Sequence, residues 1–151
     1  MHYIALLLLV LTFPAQAKET FPKKCTPISI KGELLTLSAE TPSVVMLHNL
    51  SNTDLWITHT VAKPSASAGW NTHITPGHWS ALALDKKTFT LGCIESRPGH
   101  EQQAACADLL AACQYTSVPA PPSKNSTFWA GEDLPLSELI AHLGSRGFKL
   151  P

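Results

Sequence analysis

This sequence has little charge. Only 15% of its 151 residues are charged, and eleven Lys and Arg balance eleven Asp and Glu. A chain with no net charge exerts no long-range pull on a polyanion, which argues against nucleic acid and anionic membrane surfaces as partners. The basic pairs Lys23-Lys24 and Lys86-Lys87 are too short for a polyanion site and read as a solvated tail and a turn. Long apolar runs are scarce as well. After residue 17 nothing approaches the ~20 apolar residues a spanning helix requires, so no membrane span is predicted beyond the leader. There is no C-x2-C pair with a matching His pair, which argues against a zinc site. No Met follows a Cys, which argues against a blue-copper centre. No G-x-S-x-G elbow marks a serine hydrolase, and no internal repeat is visible.

What is present begins with a leader. Met1, His2 and Tyr3 precede an apolar run from Ile4 to Leu11, followed by Thr12, Phe13, Pro14 and Ala15-Gln16-Ala17. Small residues after an apolar core of roughly 7–15 residues are the pattern that signal peptidase cuts. Residues 1–17 are therefore predicted to be a signal peptide, removed after Ala17. Residues 18–151 form a single exported β-rich domain, periplasmic or secreted. That is one ordinary domain in size, large enough to bury about two thirds of its unfolded surface.

All four cysteines, Cys25, Cys93, Cys106 and Cys113, follow the leader. An even count in an exported chain points to two disulfides. Cys106 with Cys113 is disfavoured, because seven residues span roughly 10 Å in a helix, and in a strand an odd spacing sends the side chains to opposite faces. A hairpin folded about Pro98-Gly99-His100 would set Cys93 opposite Cys106, within disulfide reach. The preferred pairing is Cys93–Cys106 with Cys25–Cys113. Cys93–Cys113 with Cys25–Cys106 remains open.

Strand-length apolar runs recur between turn residues: 28–37, 44–50, 55–61, 70–75, 79–84 and 88–95. Ser51-Asn52-Thr53-Asp54 reads as a hairpin turn between the second and third. The stretch 101–115 fits both a strand and a helix, and 107–113 is left undecided between them. Near the end, Asp133 reads as a helix cap, Pro135 as a first-turn residue and Gly144 as the stop, around the stripe Leu136, Leu139, Ile140 and Leu143. The expected fold is mainly β: a disulfide-stapled sandwich or barrel-like core of six or seven short strands, with one C-terminal helix.

For function, the sequence offers a patch more than a motif. Trp70 and Trp79 bracket a Pro76-Gly77 turn, with His73 and His78 between them, and Arg97 and His100 frame a second turn. Trp is enriched at binding surfaces and stacks on sugar rings or peptide side chains. These six residues are the candidate binding face. Trp56, and to a lesser degree Trp79, also fits a core position. No catalytic residue, metal site or cofactor is predicted. Asn49-Leu50-Ser51 and Asn125-Ser126-Thr127 match glycosylation acceptors.

Several segments together carry a resemblance: His48-Asn49-Leu50 with Asn52 to Trp56, Ala68-Gly69-Trp70, Pro76 to Leu82, Cys93 to Gln103, and Phe128 to Asp133. In these, the chain resembles the enhanced-entry protein B (EnhB) family of Legionella-type bacteria. The resemblance covers most of the chain after the leader, and the run from Cys93 to Gln103 is its most distinctive part. It implies an envelope or secreted protein associated with host-cell entry, and brings no catalytic residues. The expected function is an exported, non-enzymatic accessory protein that binds a protein partner in the envelope or on the host. The rival expectations are an envelope hydrolase acting on cell-wall polymer and a carbohydrate-binding module.

Overall fold

The computed structural model describes residues 20–60, 71–121 and 127–151. The predicted leader, Trp70, the loop 62–69 and Asn125 lie outside the described residues.

A period of two gives each strand its two faces. In β2 (Leu34–Ala39), Leu35, Leu37 and Ala39 are buried while Leu34, Thr36 and Ser38 face solvent. In β4 (Asp54–His59), Leu55 and Ile57 point inward. β5 (Asn71–Ile74) turns in Thr72 and Ile74. β7 (Lys87–Arg97) turns in Phe89, Leu91 and Cys93. These inward faces and those of β3 (Ser43–Asn49) and β6 (Trp79–Leu84) meet in one apolar cluster. Each fully buried Leu there stabilises the fold by on the order of 2 kcal/mol. The other elements are β1 (Thr26–Ile28), β8 (His100–Ala104), α1 (Cys106–Leu109), β9 (Leu110–Tyr115), β10 (Phe128–Leu134) and α2 (Leu136–Ser145).

The strands form two antiparallel sheets. Sheet A has the order β1-β9-β3-β6-β10, and sheet B the order β2-β7-β4-β5, with β8 also paired to β7. The eleven residues of β7 make it a spine: β2 lies along its first half, β8 along its second, on the edge opposite β4. Sheet A is covered twice. Val45 and Leu47 of β3 face sheet B, whereas Val44 and Met46 enter a second cluster with Trp79, Leu139, Leu143 and Phe148. A strand buried on both faces reads as a continuous apolar run, as this one does. The result is three layers: sheet B, sheet A, then α2 with the N-terminal segment around Phe21 and Cys25.

The β-rich, disulfide-stapled architecture with one C-terminal helix is present as expected, but with ten strands among the described residues, not six or seven. β1 is too short and β8 too polar to show apolar alternation, and β9 and β10 lie where the sequence pattern was ambiguous or silent. The undecided stretch divides: one helical turn, then β9.

All four cysteines are paired, Cys25 with Cys113 and Cys93 with Cys106. The hairpin register is two residues from the expected one. Cys93 stands opposite Ala104, because Pro98 and Gly99 alone form the turn and Arg97 pairs with His100. Gly99 takes φ +78, the backbone that glycine supplies at the third position of a type II turn. Cys106 reaches Cys93 from the start of α1, where its N–H bonds the Glu33 carbonyl at 3.0 Å.

Four other expectations are corrected. The turn 51–54 is no hairpin: β3 belongs to sheet A and β4 to sheet B, so it is a crossover. Asp133 does not cap α2, since it lies in β10 and the cap position is Pro135. Gly144 lies inside α2, and the chain reverses at Gly147, whose φ is +92. Asn49 is fully buried, so it is closed to glycosylation. Its Nδ2 donates to the Thr53 and Ile74 carbonyls, both at 2.8 Å, and its Oδ1 accepts the Ser51 N–H and hydroxyl at 2.9 and 2.8 Å.

Candidate functional site

Four connections meet at one end of the sandwich: the 50–53 crossover, the turn at 75–78, the β7–β8 tip and the end of β10. Strand register brings them together. Asp54 pairs with Ser96, Leu55 with Ile74, and Leu134 with Trp79. Asp133 holds φ +50, a left-handed backbone that Asp tolerates better than most residues. Its own N–H donates to the Ser80 hydroxyl at 3.0 Å. That geometry delivers its carboxylate to the turn that joins β5 of sheet B to β6 of sheet A.

There the carboxylate is surrounded. Oδ1 accepts the Thr75 N–H at 2.7 Å and the Thr75 hydroxyl at 2.8 Å, and lies 3.1 Å from His78 Nδ1. Oδ2 lies 3.9 Å from His73 Nδ1, and the Nε2 of His73 lies 3.2 Å from Asp54 Oδ2. Asp54, His73, Asp133 and His78 thus form a continuous chain of alternating carboxylates and imidazoles. Partial burial alone would raise the Asp133 pKa. The bonds from Thr75 and His78 outweigh it and hold the carboxyl below its ordinary value. Glu95 is also held low, first by the Thr53 hydroxyl at 2.9 Å and then by Arg97 at 3.3 Å.

The sequence-predicted patch is therefore divided. His73 and His78 converge on Asp133. Arg97 and His100 lie at the exposed tip of the β7–β8 hairpin, at the same end. Trp79 does not belong to the face. It is 4% exposed, on the outer side of sheet A, stacked on His48 at 4.2 Å and touching Phe21 at its edge. Being next to a turn in sequence did not make it a surface residue, because β6 is covered on both faces.

Among the described residues, the solvent-facing tryptophan of sheet B is Trp56. Its ring lies against His73 at 5.0 Å, on the outward side of β4. The signal was in the sequence, since Leu55 and Ile57 alternate with it. Asp54, Thr53 and Asp133 had no such signal, because a register shift in β10 is what aims Asp133.

Three shallow depressions follow this surface. One of about 630 Å³ runs from Asp54 round the 96–101 tip. One of about 470 Å³ lies between Glu95, Arg97 and Gln102. One of about 250 Å³ is lined by Trp56, Thr58, Asn71, Ile94 and Glu101. Glu101 borders all three.

Chemically, this end offers hydrogen-bonding and ionic contacts more than a reacting centre. Ser80 is fully buried and its oxygen is occupied by the Asp133 N–H. Among the described residues, no group of three or more His, Cys, Asp or Glu side chains is placed to share one ion. Among the same residues, no helix is long and apolar enough to cross a membrane. Neither a family model, a curated protein nor a solved structure matches the chain.

Proposed function

We propose that this chain is an exported, non-enzymatic accessory protein that binds a protein partner through the loop-bearing end of its sandwich. The observation that carries the reading is the convergence of His73, His78, Asp54, Asp133, Arg97 and His100 on that end, from four connections and both sheets. Connecting segments presented by a rigid scaffold are where binding residues concentrate. Two disulfides and a double-sided core supply the rigidity. Export is supported by the leader pattern and by four cysteines all paired. The resemblance to the EnhB family adds the envelope or the host surface as the place of action, and host-cell uptake as the process served.

The test is site-specific crosslinking in native cells. A photo-crosslinking residue at His100 should trap a reproducible envelope or host protein, and the same residue at Lys86, at the opposite end of β7, should not. Recovery of peptidoglycan with no protein partner would overturn the reading in favour of a wall-directed activity. Reduced thiols in protein isolated from its own cells would overturn export.

A further inference from the structure

We infer that the depression beside Trp56 is a saccharide subsite, taking a neutral sugar unit stacked on the indole. The inference rests on reading this face as a binding surface, and names a ligand class for the part of it on sheet B.

Trp56 is flanked across the strands by His73 on one side and Ile94 on the other. His73 is itself fixed by Asp54 at 3.2 Å, so the indole leans on an anchored neighbour at 5.0 Å and does not swing freely. A plate held in place before the ligand arrives loses little entropy on binding. Around it stand a hydroxyl, an amide and a carboxylate, those of Thr58, Asn71 and Glu101. Among the described residues, these three side chains bond no other group, in contrast to Glu95, which Thr53 and Arg97 engage. An aromatic face with uncommitted donors and acceptors beside it suits a ligand that is apolar on its ring face and hydroxylated at its rim.

The alternatives fit less well. Among the described residues, Glu101 is the only charged group in the lining, which disfavours phosphates and carboxylates. Among the described residues, Ile94 is the only aliphatic side chain there, too little for a lipid chain. The volume, about 250 Å³, falls just below the usual range for small-molecule sites, which suits a single ring. Because Glu101 also borders the depressions at the hairpin tip, a longer oligosaccharide has room to continue from Trp56 towards Arg97 and His100.

The test uses the purified, oxidised chain and a panel of neutral oligosaccharides, chitotriose, cellotriose and mannotriose. Binding is followed by isothermal titration calorimetry, and its place by the NMR shift of the Trp56 indole N–H in the wild-type chain. Saturable binding is expected for at least one sugar. Trp56→Ala should weaken it about tenfold, an ordinary loss for an aromatic anchor. Trp129→Phe, on β10 of sheet A, should change nothing. Asn71→Ala replaces an exposed residue of the edge strand β5, and it should also weaken binding even if Trp56→Ala proves unstable. No saturable binding by any sugar, or binding indifferent to both Trp56→Ala and Asn71→Ala, would overturn the inference. So would binding of spermine at this site in place of sugars. A protein still crosslinked at His100 would then leave the binding reading standing without the sugar.

Discussion

Asp133 and Thr75 fasten the edge of one sheet to the edge of the other. The carboxylate of Asp133, on the edge strand β10, accepts both the N–H and the hydroxyl of Thr75, which follows the edge strand β5. Asp133→Ala strands the Thr75 N–H and should cost about 1–3 kcal/mol, read as a fall in Tm. The charge has its own signature. A carboxyl held below its ordinary pKa in the fold stabilises above the pH where the unfolded group titrates, and that contribution is lost as pH falls through the folded value. Asp133→Asn keeps an acceptor oxygen but no charge. The stability difference between wild type and Asp133→Asn should shrink as pH falls below about 4. A difference unchanged down to pH 2.5 would show that the charge contributes nothing.

His59 predicts the opposite end's response to acid. Its ring stacks on Phe89 at 4.0 Å, and Lys87 Nζ sits 5.5 Å from the same Phe89 ring. Burial first, and then the Lys87 charge, lower the His59 pKa. Because the folded value is depressed, the neutral ring's contribution is present above the ordinary imidazole value of about 6.5 and is lost as pH falls through the folded pKa. Lys87→Gln removes one of the two causes. An NMR titration of His59 should therefore show its pKa rising towards the ordinary value, with a smaller change in high salt. An unmoved titration curve in Lys87→Gln would leave burial as the whole cause.

How far such features can be read without coordinates depends on periodicity. Leu55, Ile57, Phe89 and Leu91 announce strands and faces because an inward apolar side chain alternates with an outward one. The disulfide pairing was legible because the chain has a turn between Cys93 and Cys106, even though the register was two residues off. The pairing of strands was not. The 51–54 turn carries the same residues whether it reverses within a sheet or crosses between sheets, and only the partners of β3 and β4 decide. Half of the candidate face was legible in the same sense. His73 and His78 stood out as neighbours of a turn, and so did Trp79, which the fold buries under Phe21 and α2. Asp133 was read as a cap because Asp before Pro and a leucine stripe is a capping pattern. A bulge in β10 turned it elsewhere.

The two disulfides close loops of very different length, 88 residues for Cys25–Cys113 and 13 for Cys93–Cys106. All four sulfurs lie in apolar clusters, so the packing losses on replacement are comparable. Chain entropy then separates them: about 4–5 kcal/mol for the long loop and about 3 for the short one, as upper values. The double variant Cys25→Ala/Cys113→Ala should therefore melt several degrees below Cys93→Ala/Cys106→Ala. Equal melting temperatures would mean that the N-terminal segment is held on sheet A without its bridge.

Two glycines test how α2 sits on sheet A. At Gly131 an added Cβ would collide with Leu139 Cδ1 and come within 3.2 Å of His142 Cδ2. Leu139 is fully buried, so neither it nor the helix has room to retreat. Gly131→Ala should cost about 1–3 kcal/mol through overpacking. Gly144, inside α2, meets nothing within 4 Å, so alanine there adds no clash and removes the entropic penalty of glycine in a helix. Gly144→Ala should stabilise by about 0.5–1 kcal/mol. The pair is read together by thermal melting, with Tm falling for the first and rising for the second. A fall in both would mean that α2 bends at Gly144 in a way alanine resists. A rise in both would mean that α2 rides free of β10, with Leu139 no longer seated over Gly131.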